Sequence, residues 1–94
     1  MKYVVELRSV GNPDHGQDPG RPMWGVDEQY PECETIAAAQ GLVLAWIETN
    51  RVGGGNFIPA RLLCCAGKKW KVVGWFSYNG RLWADMKCTG EIIL

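Results

Sequence analysis

The stretch Lys69–Lys87, KWKVVGWFSYNGRLWADMK, decides how this chain is read. Two runs of aromatic and β-branched residues flank Asn79-Gly80. That dipeptide supplies the two positive-φ positions of a type I′ turn, the strongest short-range hairpin signal. A two-residue loop fixes the pairing. It sets Tyr78 opposite Arg81, Ser77 opposite Leu82, Phe76 opposite Trp83, Trp75 opposite Ala84 and Val73 opposite Met86. Directly opposed residues share a sheet face.

Upstream, Gly67-Lys68 places Gly at the first central position of a type II′ turn. Cys65 then faces Trp70, Leu63 faces Val72 and Leu62 faces Val73. The two registers agree and sort three strands into two faces. Ala60, Leu62, Cys64, Val73, Trp75, Leu82, Ala84 and Met86 form the expected core face. Arg61, Leu63, Cys65, Trp70, Val72, Phe76, Tyr78, Arg81, Trp83 and Asp85 form the other. With one helix to cover the sheet, that second face stays open, and an exposed aromatic patch marks a binding surface. A slip of one residue reverses the assignment.

Outward from the hairpin, Lys2–Ser9 alternates as a strand, with Tyr3, Val5 and Leu7 on one side. Val10–Pro22, rich in Gly, Pro, Asn and Asp, reads as a mobile loop. Met23–Glu28 reads as a short second strand. Pro31, Glu32 and Glu34 precede a helix over Cys33–Asn50, whose apolar face is Ile36, Ala39, Val43, Trp46 and Ile47. Leu42 and Leu44 point elsewhere, toward the N-terminal loop or a partner. Gly53-Gly54-Gly55 is a flexible connection, and without a following Lys-Ser/Thr it is no phosphate loop. Phe57–Ala66 is a third strand, with Pro59 marking an edge or a bulge. Glu91–Leu94 is an apolar tail that adds a short strand or docks on the sheet. The order ββαβββ defines an α+β fold: one antiparallel sheet of about five strands, with one helix on one face. All 94 residues form a single domain.

The composition, 47% hydrophobic and 11% aromatic with five Trp, is that of a folded domain. Formal net charge is zero, which argues against a generic nucleic-acid binder. Residues 1–50 carry three basic and eight acidic side chains, net −5; residues 51–94 carry seven and two, net +5. The opening MKYVVELRS has no apolar signal core, and no run approaches a membrane span. These features read as a cytosolic protein with reduced thiols at Cys33, Cys64, Cys65 and Cys88.

The catalytic inventory is poor. The cysteines lack the spacing of a structural zinc site, so no metal and no cofactor is expected. His15, beside Asp14, is the one histidine, and it reads as a solvated loop residue. No carboxylate pair stands out for acid–base work. The chain is therefore expected not to be an enzyme. Two binding readings share the open face. Trp70, Tyr78 and Trp83 with Lys68, Lys69, Lys71 and Arg81 suit a single-stranded nucleic acid or RNA. The same Trp, Tyr and Arg cluster has the make-up of a protein-binding hot spot, or of a homodimer contact. The candidate partner-binding residues are Arg61, Lys69, Trp70, Phe76, Tyr78, Arg81 and Trp83.

The opening MK-x-x-V-V-E, the short strand running into an Ala-rich helix, and Trp75…Tyr78…Gly80-Arg81-x-Trp83-x-Asp85…Cys88 resemble small phage-encoded anti-CRISPR proteins. The likeness is to a type I-F inhibitor built as a five-stranded antiparallel sheet with one helix. It implies a stoichiometric inhibitor in the host cytoplasm. Such an inhibitor binds protein subunits of a CRISPR-Cas surveillance complex and keeps target DNA from pairing with the guide RNA. The longer Val10–Pro22 loop, the Gly53–Gly55 insertion and the apolar tail depart from that pattern, so the resemblance assigns no contact residue.

Overall fold

In Lys2–Val5 (β1) burial deepens along the strand from exposed Lys2 to sealed Val5, and from Val5 to Ser9 it alternates as the sequence does. The computed structural model describes residues 2–94. After β1 come Glu32–Cys33 (β2), the helix Ile36–Asn50 (α1), Ala60–Ala66 (β3), Lys69–Phe76 (β4) and Leu82–Trp83 (β5). The strands form one antiparallel sheet in the order β2-β1-β3-β4-β5, and α1 packs on one face, an α+β architecture.

The helix begins at Ile36, three residues after the expected Cys33. Thr35 is extended and its hydroxyl accepts the Ala38 N–H at 3.0 Å, capping the first turn. Cys33 is already committed to the sheet opposite Tyr3. Ala39, Val43 and Trp46 face Val5, Leu7, Ala60, Leu62, Phe76 and Leu82 in the core. No helix of the described residues is long and apolar enough to cross a membrane.

The expected second strand at Met23–Glu28 is absent. Met23–Val26 is instead a tight turn closed by the Val26 N–H to the Met23 carbonyl at 3.2 Å. Gln29 bridges Leu7, just beyond β1, and β1 itself pairs with β2. The third strand starts at Ala60 rather than Phe57, although Phe57 still bridges Ser9. Pro59 stands just before this internal strand, where its missing N–H breaks no ladder bond.

The Val10–Pro22 loop, expected to be mobile, is knit to the fold. Gly11 donates to Arg21 at 2.8 Å, and Asn56 Nδ2 donates to the Val10 carbonyl at 2.9 Å and to Gln17 Oε1 at 2.8 Å.

Two registers differ from the sequence expectation, each by one residue. The β3–β4 pairing holds from Ala66↔Lys69 to Leu63↔Val72; then Val73 is skipped and Leu62 faces Gly74. This bulge turns the rest of β4 over. A Cβ at Gly74 would sit 2.4 Å from the Trp83 carbonyl oxygen, so the residue there has to lack one.

The hairpin loop holds three residues, not two. Ser77 donates to Arg81 at 2.9 Å and Gly80 to Ser77 at 2.9 Å. Only Gly80 has positive φ, 81°. Asn79 is freed from the left-handed region, and its side chain accepts from Ser77 Oγ and from the Arg81 N–H. Phe76 therefore faces Leu82, and Trp75 faces Trp83. Phe76 is 0% exposed, and Trp75 takes the place on the open face that Phe76 was expected to hold. Ala84 and Met86, expected in the core, are exposed.

The tail does add an edge to the sheet. Ile92 bridges Trp83, with Ala84 donating to Glu91 and Ile93 to Leu82.

Candidate functional site

The face of the sheet away from α1 is built from three cross-strand rows. Lys2, Cys65 and Trp70 form one, and Val4, Leu63 and Val72 the next. The third runs Glu6, Arg61, Trp75, Trp83 and Ile92. Trp70 and Val72 are each 46% exposed, and Val4, Leu63, Trp75 and Trp83 are half-buried. No described helix covers these rows, and three indoles lie among aliphatic side chains.

Polar contacts hold the third row in place. The Arg61 guanidinium donates from Nε to Glu6 Oε1 at 2.6 Å and from Nη2 to Oε2 at 3.0 Å. This bidentate fork matches a carboxylate, and the hydrogen bond to Glu6 pushes the Arg61 pKa further up. The Trp83 indole N–H donates to Ser77 Oγ at 3.0 Å, tying the ring to the hairpin. Acids on this face are neutralised within the molecule: Glu6 by Arg61, and Glu32 by Lys2 at 3.3 Å.

Of the seven expected contact residues, the structure brings Arg61, Trp70 and Trp83 together on this face. Arg81 is exposed and, alternating with buried Leu82, shares the side of Trp83. Three are placed elsewhere. Phe76 is sealed in the core because of the bulge and the three-residue loop. Tyr78 is turned toward the end of the sheet, where its hydroxyl donates to the Val52 carbonyl at 3.0 Å and its ring meets Phe57 edge-on. Lys69 alternates with Trp70 and so, like Lys71, falls on the opposite face, the side of Tyr3 and Cys64. The lysines are thereby separated from the indole they were expected to flank. Asp85, placed on the open face from sequence, is engaged by its own turn: Gly90 donates to it at 2.9 Å, with Thr89 behind. These bonds pull its pKa below the usual carboxylate value, the Gly90 bond most.

Sequence reasoning missed Trp75 on the open face. It also missed Trp24, which is 99% exposed at the Met23–Val26 turn. Gly25, three residues after Pro22, is the local turn signal that accounts for it.

Among the described residues no three His, Cys, Asp or Glu side chains are grouped to hold a metal ion. Burial pushes the Cys33 and Cys88 thiols up, the reverse of an activated nucleophile. His15 is exposed at the end of a 3-10 turn, Pro13–His15.

Comparison with known proteins returns no matching family model, no matching curated sequence and no matching solved structure.

Proposed function

We propose that this chain is a non-catalytic protein-binding module acting through the open face around Trp70, Val72, Trp75 and Trp83. The observation that carries the reading is that face itself. Three tryptophans sit on a hydrogen-bonded sheet with aliphatic neighbours, and no part of the described fold packs over them as a layer. Trp and Arg dominate protein-binding hot spots, because a rigid indole buries a large area at small entropic cost. Arg61, Arg81 and Lys2 supply a charged rim of the kind that surrounds such anchors.

The particular partner rests on the resemblance to type I anti-CRISPR proteins. On that reading the chain binds effector subunits of a CRISPR-Cas surveillance complex in the host cytoplasm and blocks target DNA. An inhibitor of that kind needs a stiff adhesive face and no reactive group. Affinity pull-down from bacteria carrying a type I system tests it. Effector subunits are recovered with the wild-type chain and lost with Trp70→Ala combined with Arg81→Glu, while the variant's circular dichroism is unchanged. Recovery of no effector subunit, or salt-sensitive capture of oligonucleotides in its place, overturns the reading.

A further inference from the structure

Trp24 stands outside the open face, and no part of the reading above uses it. Its side chain is 99% exposed, the most solvated large apolar group in the described fold. The turn presenting it is nevertheless well held. The Met23 N–H donates to the buried Ser9 hydroxyl at 3.1 Å, and Met23 and Val26 on either side pack against the core. Gly25 takes φ 77°, and the Val26 N–H closes the turn on Met23. An indole on a braced turn has little conformational freedom left to lose when a partner covers it.

The surroundings are acidic. Asp27 and Glu28 follow the turn and are exposed, Glu28 accepting the Tyr30 hydroxyl at 2.7 Å with Arg8 nearby, so Asp27 is the carboxylate with no cation beside it in sequence. Arg21 is the one Lys or Arg between Arg8 and Arg51, and it is already engaged with Asp18 at 3.6 Å. A cleft of about 280 Å³ lies beside the indole, lined by Gln17, Asp18, Arg21, Pro22 and Met23. It is wide enough for one side chain from outside.

We propose that Trp24 anchors a second docking site and that its occupant is a basic protein surface. A Lys or Arg of that surface lies over the indole, where the ring quadrupole attracts a cation. Neighbouring cations pair with Asp27 and Glu28. The same carboxylates repel nucleic acid and anionic membranes, so charge complementarity selects a cationic protein. The inference stands independently of the open face.

Panning a random 12-residue peptide library, displayed on phage, against the immobilised chain tests it without a known partner. Enriched peptides are expected to carry net positive charge. As synthetic peptides they bind Trp24→Ala at least tenfold more weakly, and Asp27→Lys with Glu28→Lys likewise, while Trp70→Ala binds them unchanged. Thermal unfolding of Trp24→Ala matches wild type, because the side chain is in solvent. The proposal is overturned if enriched peptides are neutral or acidic, if they bind Trp24→Ala as tightly as wild type, or if none is enriched. It is also overturned if Trp24→Ala instead abolishes binding to phosphatidylcholine vesicles, binding to an oligonucleotide, or self-association in sedimentation equilibrium.

Discussion

Trp75 lies directly opposite Trp83 across the β4–β5 pairing, on the side of the sheet that carries no helix. The pair owes its place to a loop of three residues, which moves the whole of β4 by one step against β5. The same step sends Phe76 inward against Leu82. The bulge between β3 and β4 and this turn together set the core and the open face.

Phe76 and Trp70, both in β4, are expected to separate in a denaturant titration. Phe76→Ala empties a fully buried ring site and costs about 3–5 kcal/mol. Trp70→Ala removes a ring about half in solvent and costs well under half as much. Equal costs would put Phe76 and Trp70 on one face, against the observed register.

Gly74 and Gly41 give opposite responses to alanine. At Gly74 a methyl collides with the Trp83 carbonyl oxygen, and overpacking of this kind costs about 1–3 kcal/mol. At Gly41, on the exposed side of α1, nothing lies within 4 Å of an added Cβ. There alanine is expected to stabilise by about 0.5–1 kcal/mol through helix propensity. Thermal melts of the two variants check both signs.

Asn56 joins the Val10 carbonyl and Gln17 from a buried position. Asn56→Ala takes the amide donor from the Val10 carbonyl and leaves Gln17 Oε1 only the Asn12 N–H, and is expected to cost about 1–3 kcal/mol. The loss concentrates in residues 10–22, so amide hydrogen exchange there rises while that of β3 changes little.

The Asp85 turn carries a pH dependence. Its folded pKa lies below the ordinary value because the charged form accepts the Gly90 and Thr89 donors. The contribution is present above the unfolded carboxylate pKa and is lost as pH falls through the lower folded value. The Gly90 amide resonance should follow this titration. Asp85→Asn removes the pH response. A Gly90 shift that titrates near neutrality would contradict the assignment.

Much of the sheet was legible because alternation and turn residues are local signals. Cys65↔Trp70 and Leu63↔Val72 follow from the Gly67-Lys68 turn alone. The bulge at Val73 was not legible, since it answers to Gly74 fitting under the Trp83 backbone, a contact between strands. Nor was the three-residue loop, where the Asn79 side chain binds its own turn and outweighs the usual preference of Asn-Gly. The two one-residue errors cancel at β5, which is why Trp83 was placed correctly while Trp75 and Phe76 were exchanged. Thr35 is a helix cap that the sequence offers locally, and it, not Pro31 or Glu32, starts the helix. The resemblance pointed to a kind of partner but assigned no residues, so the candidate site rests on the face alone.

The central claim is that the indole-bearing face, and not the lysine-bearing face behind it, meets the partner. Equilibrium binding to a purified type I surveillance complex tests it directly, comparing wild type, Trp70→Ala and Lys69→Ala. The account predicts stoichiometric binding that weakens at least tenfold with Trp70→Ala and is unchanged by Lys69→Ala. No binding by wild type, or equal losses in the two variants, would contradict it.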